Sequence, residues 1–405
     1  MLDFGVLKAQ IDEMAVERKD LETDYFRRID RALGEMDRWA GSWEDLEKKI
    51  ASSRTSWLVA QPSGPIAETH PLPKRPQQLT VIASDGSQIF PDRHEVANCY
   101  LINIGYVAIH YGTGERPVMS SRPTLFFRED DVYPEWAGRR TTVTRDMVGI
   151  KRGAMEFEQV AELAESAWDE GRMAVGLCDG TLILWMLEGK PLDFRKQALA
   201  SYLAVFDRLR KARVPVAGYI SDPGSVDVVN ALRVGLCQER PPNCDRCPWK
   251  AQQESSPGGN GQGTGQPGLP CEPIAGVTDD VVLARTLGKG ERSGVFGSVS
   301  KILDDYGPHR THFFYVHTGS EVARIEIPRW VADDPALLDL VHVTVCDQAE
   351  KGGGYPVVLS ESHEKAVVRA AERDLFYRFL RDSFVENEVK AEVSLKSLKK
   401  MAAGV

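Results

Sequence analysis

Two aspartates, each followed by glycine, are the first residues in this chain that could do chemistry. Asp85 stands in "VIASDGSQ" and Asp179 in "LCDGTLIL", both directly after a run of small or apolar residues of the kind that ends a buried strand. One Asp-Gly pair is a turn signal and nothing more. Two carboxylates at the exits of two buried strands mean more, because neighbouring strands would bring both to one edge of a sheet. Hard divalent cations take oxygen ligands, and two-metal phosphodiester hydrolysis needs several carboxylates close together.

A third carboxylate follows from element lengths. Residues 145–170 read as an amphipathic helix ended by Gly171, running antiparallel to the strand that ends in Asp179. At about 1.5 Å per helical residue and about 3.3 Å per strand residue, Glu156 lies as far from the Gly171 turn as Asp179 does. Glu156 shares a stripe with Val160, Leu163 and Ala167, which turns it toward the core, where a carboxylate without a partner is costly. Metal ligation is the functional reading, and a salt bridge at the helix edge is the competing one. Glu162 is too near the turn, and Glu158 points elsewhere.

Other candidates are less specific. His363 opens a helix after Ser-Glu-Ser, where an imidazole can ligate a metal, protonate a leaving group or merely cap. Tyr355, between three glycines and Pro356, orients a phosphate or packs. Ser87 and Gln88 follow Asp85 on a loop whose backbone N–H groups can meet a phosphate. Asp222 in "YISDPGS" ends a further strand, either supporting the site or making a turn. No Ser-His-Asp order is present, and "LGKGERSG" lacks the Walker spacing, so any use of ATP falls to a partner.

A second chemistry sits in the cysteines. Cys237, Cys244, Cys247 and Cys271 follow a C-x6-C-x2-C-x23-C spacing. The first three, with Pro248 after them, resemble the iron–sulfur loop of some base-excision DNA glycosylases, although the fourth cysteine is much further along. Four thiolates would hold a [4Fe–4S] cluster or close a tetrahedral zinc site, with no position left open for hydrolysis. That implies a structural or DNA-facing role, with ordinary free thiols as the alternative. Cys99, Cys178 and Cys346 lie in apolar stretches and read as core.

The elements that must position these residues can be read in outline. Leu7, Ile11, Met14, Leu21, Tyr25, Ile29, Leu33 and Met36 recur at helical spacing, so residues 1–60 form an N-terminal helical region packed on the body or on a second copy. The prolines of residues 61–78 predict an extended linker. From residue 79 three strands, a helix, a strand, a helix and a strand follow, the order of a ribonuclease H-like α/β fold with a mixed sheet flanked by helices. Its cysteine-rich insert spans 237–271, of which 253–270 is Gly, Ser, Gln and Pro and is expected to be disordered. "HFFYVHTGSEVARIEIPRWV" and "LVHVTVCDQ" read as strands, and residues 376–405 as the end of a long helix and a frayed tail.

Composition sets bounds. A net charge of −9 gives no bulk attraction to nucleic acid, though a local basic groove is compatible with it. The apolar runs are too short for a membrane span, the start lacks a secretory n-region, and seven cysteines in 405 residues are no disulfide framework. The expected location is the cytoplasm.

Taken together, "VIASDGSQ", the helix with Met155-Glu156, "LCDGTLIL" and "GGGYPVVLSESHEKAV" resemble the NurA nuclease family over roughly residues 79–375. That resemblance implies a manganese-dependent (or magnesium-dependent) DNA nuclease with two ions, working as a homodimer with a HerA-like hexameric ATPase in DNA end resection and repair. It assigns metal binding to Asp85, Glu156 and Asp179, and matches the family's C-terminal Tyr and His to Tyr355 and His363. Two other readings stay open: a catalytically silent adaptor docking on a HerA-like motor, and a ribonuclease H-like enzyme acting on RNA or hybrids.

Overall fold

The computed structural model describes residues 2–92, 95–136, 138–250 and 268–389, so most of the Gly-rich run and the last sixteen residues lie outside the described residues. The chain forms two compact units, residues 1–72 with 220–326 and residues 73–219 with 327–405.

The first unit begins with α1 (Phe4–Ala40) and α2 (Trp43–Ala51). The Asp3 carboxylate caps α1 by accepting from the Gly5 and Val6 N–H groups. Only the second half of the α1 stripe is buried: Ile29, Ala32 and Met36 join Leu46 and Ile50 of α2 in the core, whereas Ile11, Met14 and Leu21 are exposed. The Pro-rich stretch is not wholly a linker. It contains two short strands, β1 (Ala60–Pro62) and β2 (Thr69–His70). Pro62 fits because β1 lies at the edge of its sheet, where a missing N–H costs no ladder bond.

The second unit carries the catalytic candidates. Its strands are β3 (Leu79–Ile89), β4 (Tyr100–Tyr111), β5 (Val118–Phe126), β6 (Ala174–Asp179) and β7 (Val216–Ile220), with α3 (Arg145–Asp169) and α4 (Leu192–Lys211) between the last three. The sheet order is β5-β4-β3-β6-β7, antiparallel among β3, β4 and β5 and parallel from β3 through β6 to β7. This is the ribonuclease H-like arrangement expected from element order. The parallel strands are short apolar runs because helices cover both faces.

Back in the first unit come α5 (Asp227–Leu236), β8 (Arg292–Ser293), β9 (Phe296–Ser298), β10 (Thr311–His317) and β11 (Val322–Pro328). They extend a sheet in the order β1-β9-β10-β11, with β8 joining β10 to β2. Buried Asp279 anchors the start of α5, accepting from the Val228 and Val229 N–H groups at 3.0 and 2.8 Å and from the Tyr315 hydroxyl at 2.6 Å. At its other end α5 runs straight into Cys237.

The second unit closes with α6 (Pro335–Lys351), α7 (Val357–Ala366) and α8 (Ala370–Glu386). "LVHVTVCDQ" is therefore helix and not strand. A continuous apolar run cannot separate a buried strand from a helix buried on all sides, and Val341, Val343 and Val345 are all buried here. The start signals decide it: Asp334 caps the N-terminus of α6, with Pro335 in its first turn. Likewise α7 starts at Val357, so His363 lies in its last turn and does not open it.

Candidate active site

The two Asp-Gly pairs behave differently. At Asp179 the chain turns, since β6 stops there and Gly180 takes a φ of +88° that suits only glycine. At Asp85 there is no turn. β3 continues to Ile89, paired with β4 throughout, and only its parallel partner ends. The last parallel pair is Ser84 with Cys178, so Asp85 and Asp179 occupy adjoining positions one residue further on, on the same side of the sheet.

Alternation along β3 then sorts the neighbours. Ser84 and Gly86 face α3: the Ser84 hydroxyl donates to the Glu156 carbonyl at 2.5 Å, and a Cβ on Gly86 would lie 2.5 Å from Glu156 Oε1. Asp85 and Ser87 face α7: Asp85 Oδ2 lies 2.7 Å from His363 Nδ1, and the Ser87 hydroxyl donates to the Ala366 carbonyl. Because Gly86 has no side chain, the Glu156 carboxylate can lie directly over the strand beside the two aspartates. Ser87 and Gln88 are thus strand residues, not loop residues.

Glu156 is electrostatically strained. Its side chain keeps 22% of its surface, yet burial raises its pKa to about 7, offset by Arg152 and reinforced by Asp85 and Asp179. Arg152 Nε stands 2.9 Å from Glu156 Oε1, but the two are not aligned for a hydrogen bond, and neither atom has another partner. Arg152 Nη1 also donates to Gln88 Oε1 at 2.9 Å. Three neighbouring carboxylates, of which Glu156 has its proton affinity raised and its Oε1 without a hydrogen-bond partner, are a donor set suited to a hard cation. As the side chains stand, no group of three or more His, Cys, Asp or Glu among the described residues is arranged around a common ion position, and Arg152 occupies the place beside Glu156.

The remaining candidates fall as follows. The Tyr355 ring packs edge-on against Tyr219 at 5.4 Å, and Tyr219 is the register partner of Asp179. Glu158 and Glu162 are engaged elsewhere, by Arg208 and Arg122. Asp222, in the other unit, has a φ of +44° and donates its N–H to Glu321, as a turn residue does. Cys178 is held as a thiol, pushed up to about 12 by burial, then by Glu156 and Asp179. Sequence reasoning missed Arg152 and Gly86. The four-residue step from Arg152 to Glu156 was the available signal for the first.

In the first unit the four clustered cysteines lie within electrostatic reach of Cys244, but no three of them surround a common ion position among the described residues. The Cys244 thiol is pushed up by burial and then by Cys271, Cys237 and Cys247. Cations sit around them: Lys49 Nζ donates to the Cys237 carbonyl at 2.7 Å, and Arg233 Nε to the Cys271 carbonyl at 3.1 Å.

With this geometry in place, comparison with known proteins decides the family: the NurA domain matches residues 79–368. The chain belongs to the NurA family. Membership supports a nuclease function. Among solved structures, the NurA nuclease from Sulfolobus solfataricus is 12% identical, with a TM-score of 0.47 over 93% of this chain and 98% of that one. A second NurA crystal structure is 13% identical, with a TM-score of 0.34 over 77% and 90%. A type 1 RNase H with the type 2 active-site motif, LC9-RNase H1, is 14% identical, with a TM-score of 0.19 over 39% and 71%. No curated protein matches this NurA-family chain in sequence. No helix among its described residues is long and apolar enough to cross a membrane.

Proposed function

We propose that this NurA-family chain is a metal-dependent DNA nuclease, hydrolysing phosphodiester bonds in single strands and at duplex ends. The observation that carries the reading is the juxtaposition of Asp85 and Asp179 at the end of the parallel β3–β6 ladder, with Glu156 lying over Gly86 beside them. These three residues would hold Mn²⁺ or Mg²⁺, which supplies an activated water and neutralises charge on the leaving oxygen. Asp85 orients His363, whose exposed imidazole is placed to deliver a proton to a leaving oxygen. With Glu156 engaged in holding the ion, Arg152 would be available to pair with a substrate phosphate. Tyr355 fixes the position of the Asp179 strand through Tyr219. The same reading takes in a homodimer and a HerA-like ATPase that feeds DNA ends to the site in repair.

Cys237, Cys244, Cys247 and Cys271 would hold a [4Fe–4S] cluster or a zinc ion. Four thiolates around one such group would need compensating positive charge, and Lys49 and Arg233, which donate to the Cys237 and Cys271 carbonyls, support the reading.

The test is cutting of end-labelled single- and double-stranded DNA, and of RNA, with Mn²⁺, Mg²⁺ or EDTA, with wild type beside Asp179→Ala. Metal-dependent DNA cutting that disappears in the variant is expected. Cutting of RNA alone would favour the ribonuclease reading. No cutting, even with a HerA-like ATPase added, would leave a silent adaptor.

A further inference from the structure

A cavity of about 720 Å³ opens where β3 ends, lined by Gln88, Phe90, Tyr133, Arg145 and Arg373 among others. It is linked to the carboxylates by direct contacts: Glu156 beside Arg152 at 2.9 Å, Arg152 bonded to Gln88 at 2.9 Å, and Gln88 in the cavity wall. At roughly 3.3 Å per extended residue, Phe90 lies about 16 Å along the chain from Asp85. A ligand bridging the two would have to be long and flexible.

The lining has the chemistry of a nucleic acid strand's partner. The Arg145 guanidinium sits 5.0 Å from the centre of the Phe90 ring, and Arg373 reaches over Tyr377 at 5.8 Å. Both arginines are exposed, and neither forms an ion pair with a described residue. Asp92 is the one carboxylate in the described wall. Two exposed cations that form no ion pair with a described residue, beside a half-buried aromatic ring, suit phosphates alternating with flat bases. A base stacks on a ring or on a guanidinium plane once it has left a duplex, so the pairing favours a single strand.

We propose that this cavity is a subsite for the single-stranded nucleic acid flanking the scissile phosphate. Phe90 and Arg145 receive a base, and Arg145 and Arg373 hold the adjacent phosphates. The proposal rests on the nuclease reading and adds to it the route by which the strand reaches Asp85, Glu156 and Asp179.

The test measures binding of a labelled oligothymidylate to the full chain in EDTA, at several salt concentrations, for wild type, Arg145→Ala/Arg373→Ala and Phe90→Leu. Loss of two phosphate contacts should make the slope of log K against log salt shallower by about 1.4. Phe90→Leu keeps apolar volume against Tyr100 and Ile102 but has no ring face. It should weaken binding roughly 5- to 150-fold with the slope unchanged. Unchanged affinity and slope in both variants would overturn the subsite. Equal weakening by Phe90→Leu on a blunt duplex would overturn its assignment to single strands. Cutting by wild type in Mn²⁺ with a HerA-like ATPase added is read separately: no cutting with the shallower slope removes the nuclease reading and keeps single-strand binding at the cavity, whereas cutting with an unchanged slope does the reverse.

Discussion

Gly86 and Glu156 meet so closely that the first cannot carry a side chain while the second keeps its place. A Cβ at residue 86 would stand 2.5 Å from Glu156 Oε1 and 2.8 Å from Arg152 Cγ. The obstructed atoms belong to mobile side chains, so the protein can yield, but only by moving the carboxylate. Gly86→Ala should therefore reduce metal-dependent cutting at least roughly a hundredfold while costing about 1–3 kcal/mol of stability. Parallel thermal melts and cutting assays separate the two effects. Full activity in a folded variant would show that Glu156 is not needed where it stands.

The raised proton affinity of Glu156 has a consequence for stability. Its pKa stands at about 7 against an ordinary 4.5, so between those values the folded chain holds a proton that the unfolded chain releases. Stability without metal is therefore fullest below pH 4.5 as far as this group is concerned, and declines as pH rises toward about 7. Melting temperatures in EDTA across that window should fall more steeply for wild type than for Glu156→Gln, by an amount equivalent to at most about 3 kcal/mol. Parallel curves would mean that Glu156 is an ordinary carboxylate.

His363 is held by Asp85 at 2.7 Å, and its side chain is 61% exposed. His363→Gln should lower kcat by roughly 10²- to 10⁴-fold with little change in DNA affinity, and should remove the limb of the pH–rate profile that reports a general acid. A variant that loses affinity and keeps its pH profile would make His363 a binding group.

For the cysteine module, anaerobically purified wild type should contain iron with visible charge-transfer absorption, or zinc without it. Cys244→Ser/Cys247→Ser should lose the metal and melt at a lower temperature, because a site absent from the unfolded chain adds its binding energy to folding. Equal metal content and melting in wild type and variant would identify these residues as plain thiols.

The sequence by itself determined a good deal of this protein. The order of strand and helix patterns from residue 79 already implied the β5-β4-β3-β6-β7 sheet, because short connections and parallel crossovers leave few ways to arrange five such strands. The aspartates were legible from their place after apolar runs. Glu156 was legible from the matched lengths of α3 and β6. Local pattern did not show that "DG" at 85 is strand while "DG" at 179 is turn, since that depends on which partner strand ends where. Nor did it separate helix from strand at "LVHVTVCDQ", where burial on every side removes the periodicity that would distinguish them. The pairing of Arg152 with Glu156, the approach of Glu156 over Gly86 and the hold of Asp85 on His363, 278 residues away, were decided by tertiary structure alone. Contacts between distant segments depend on how helices sit on both faces of a sheet, and no window of sequence contains that.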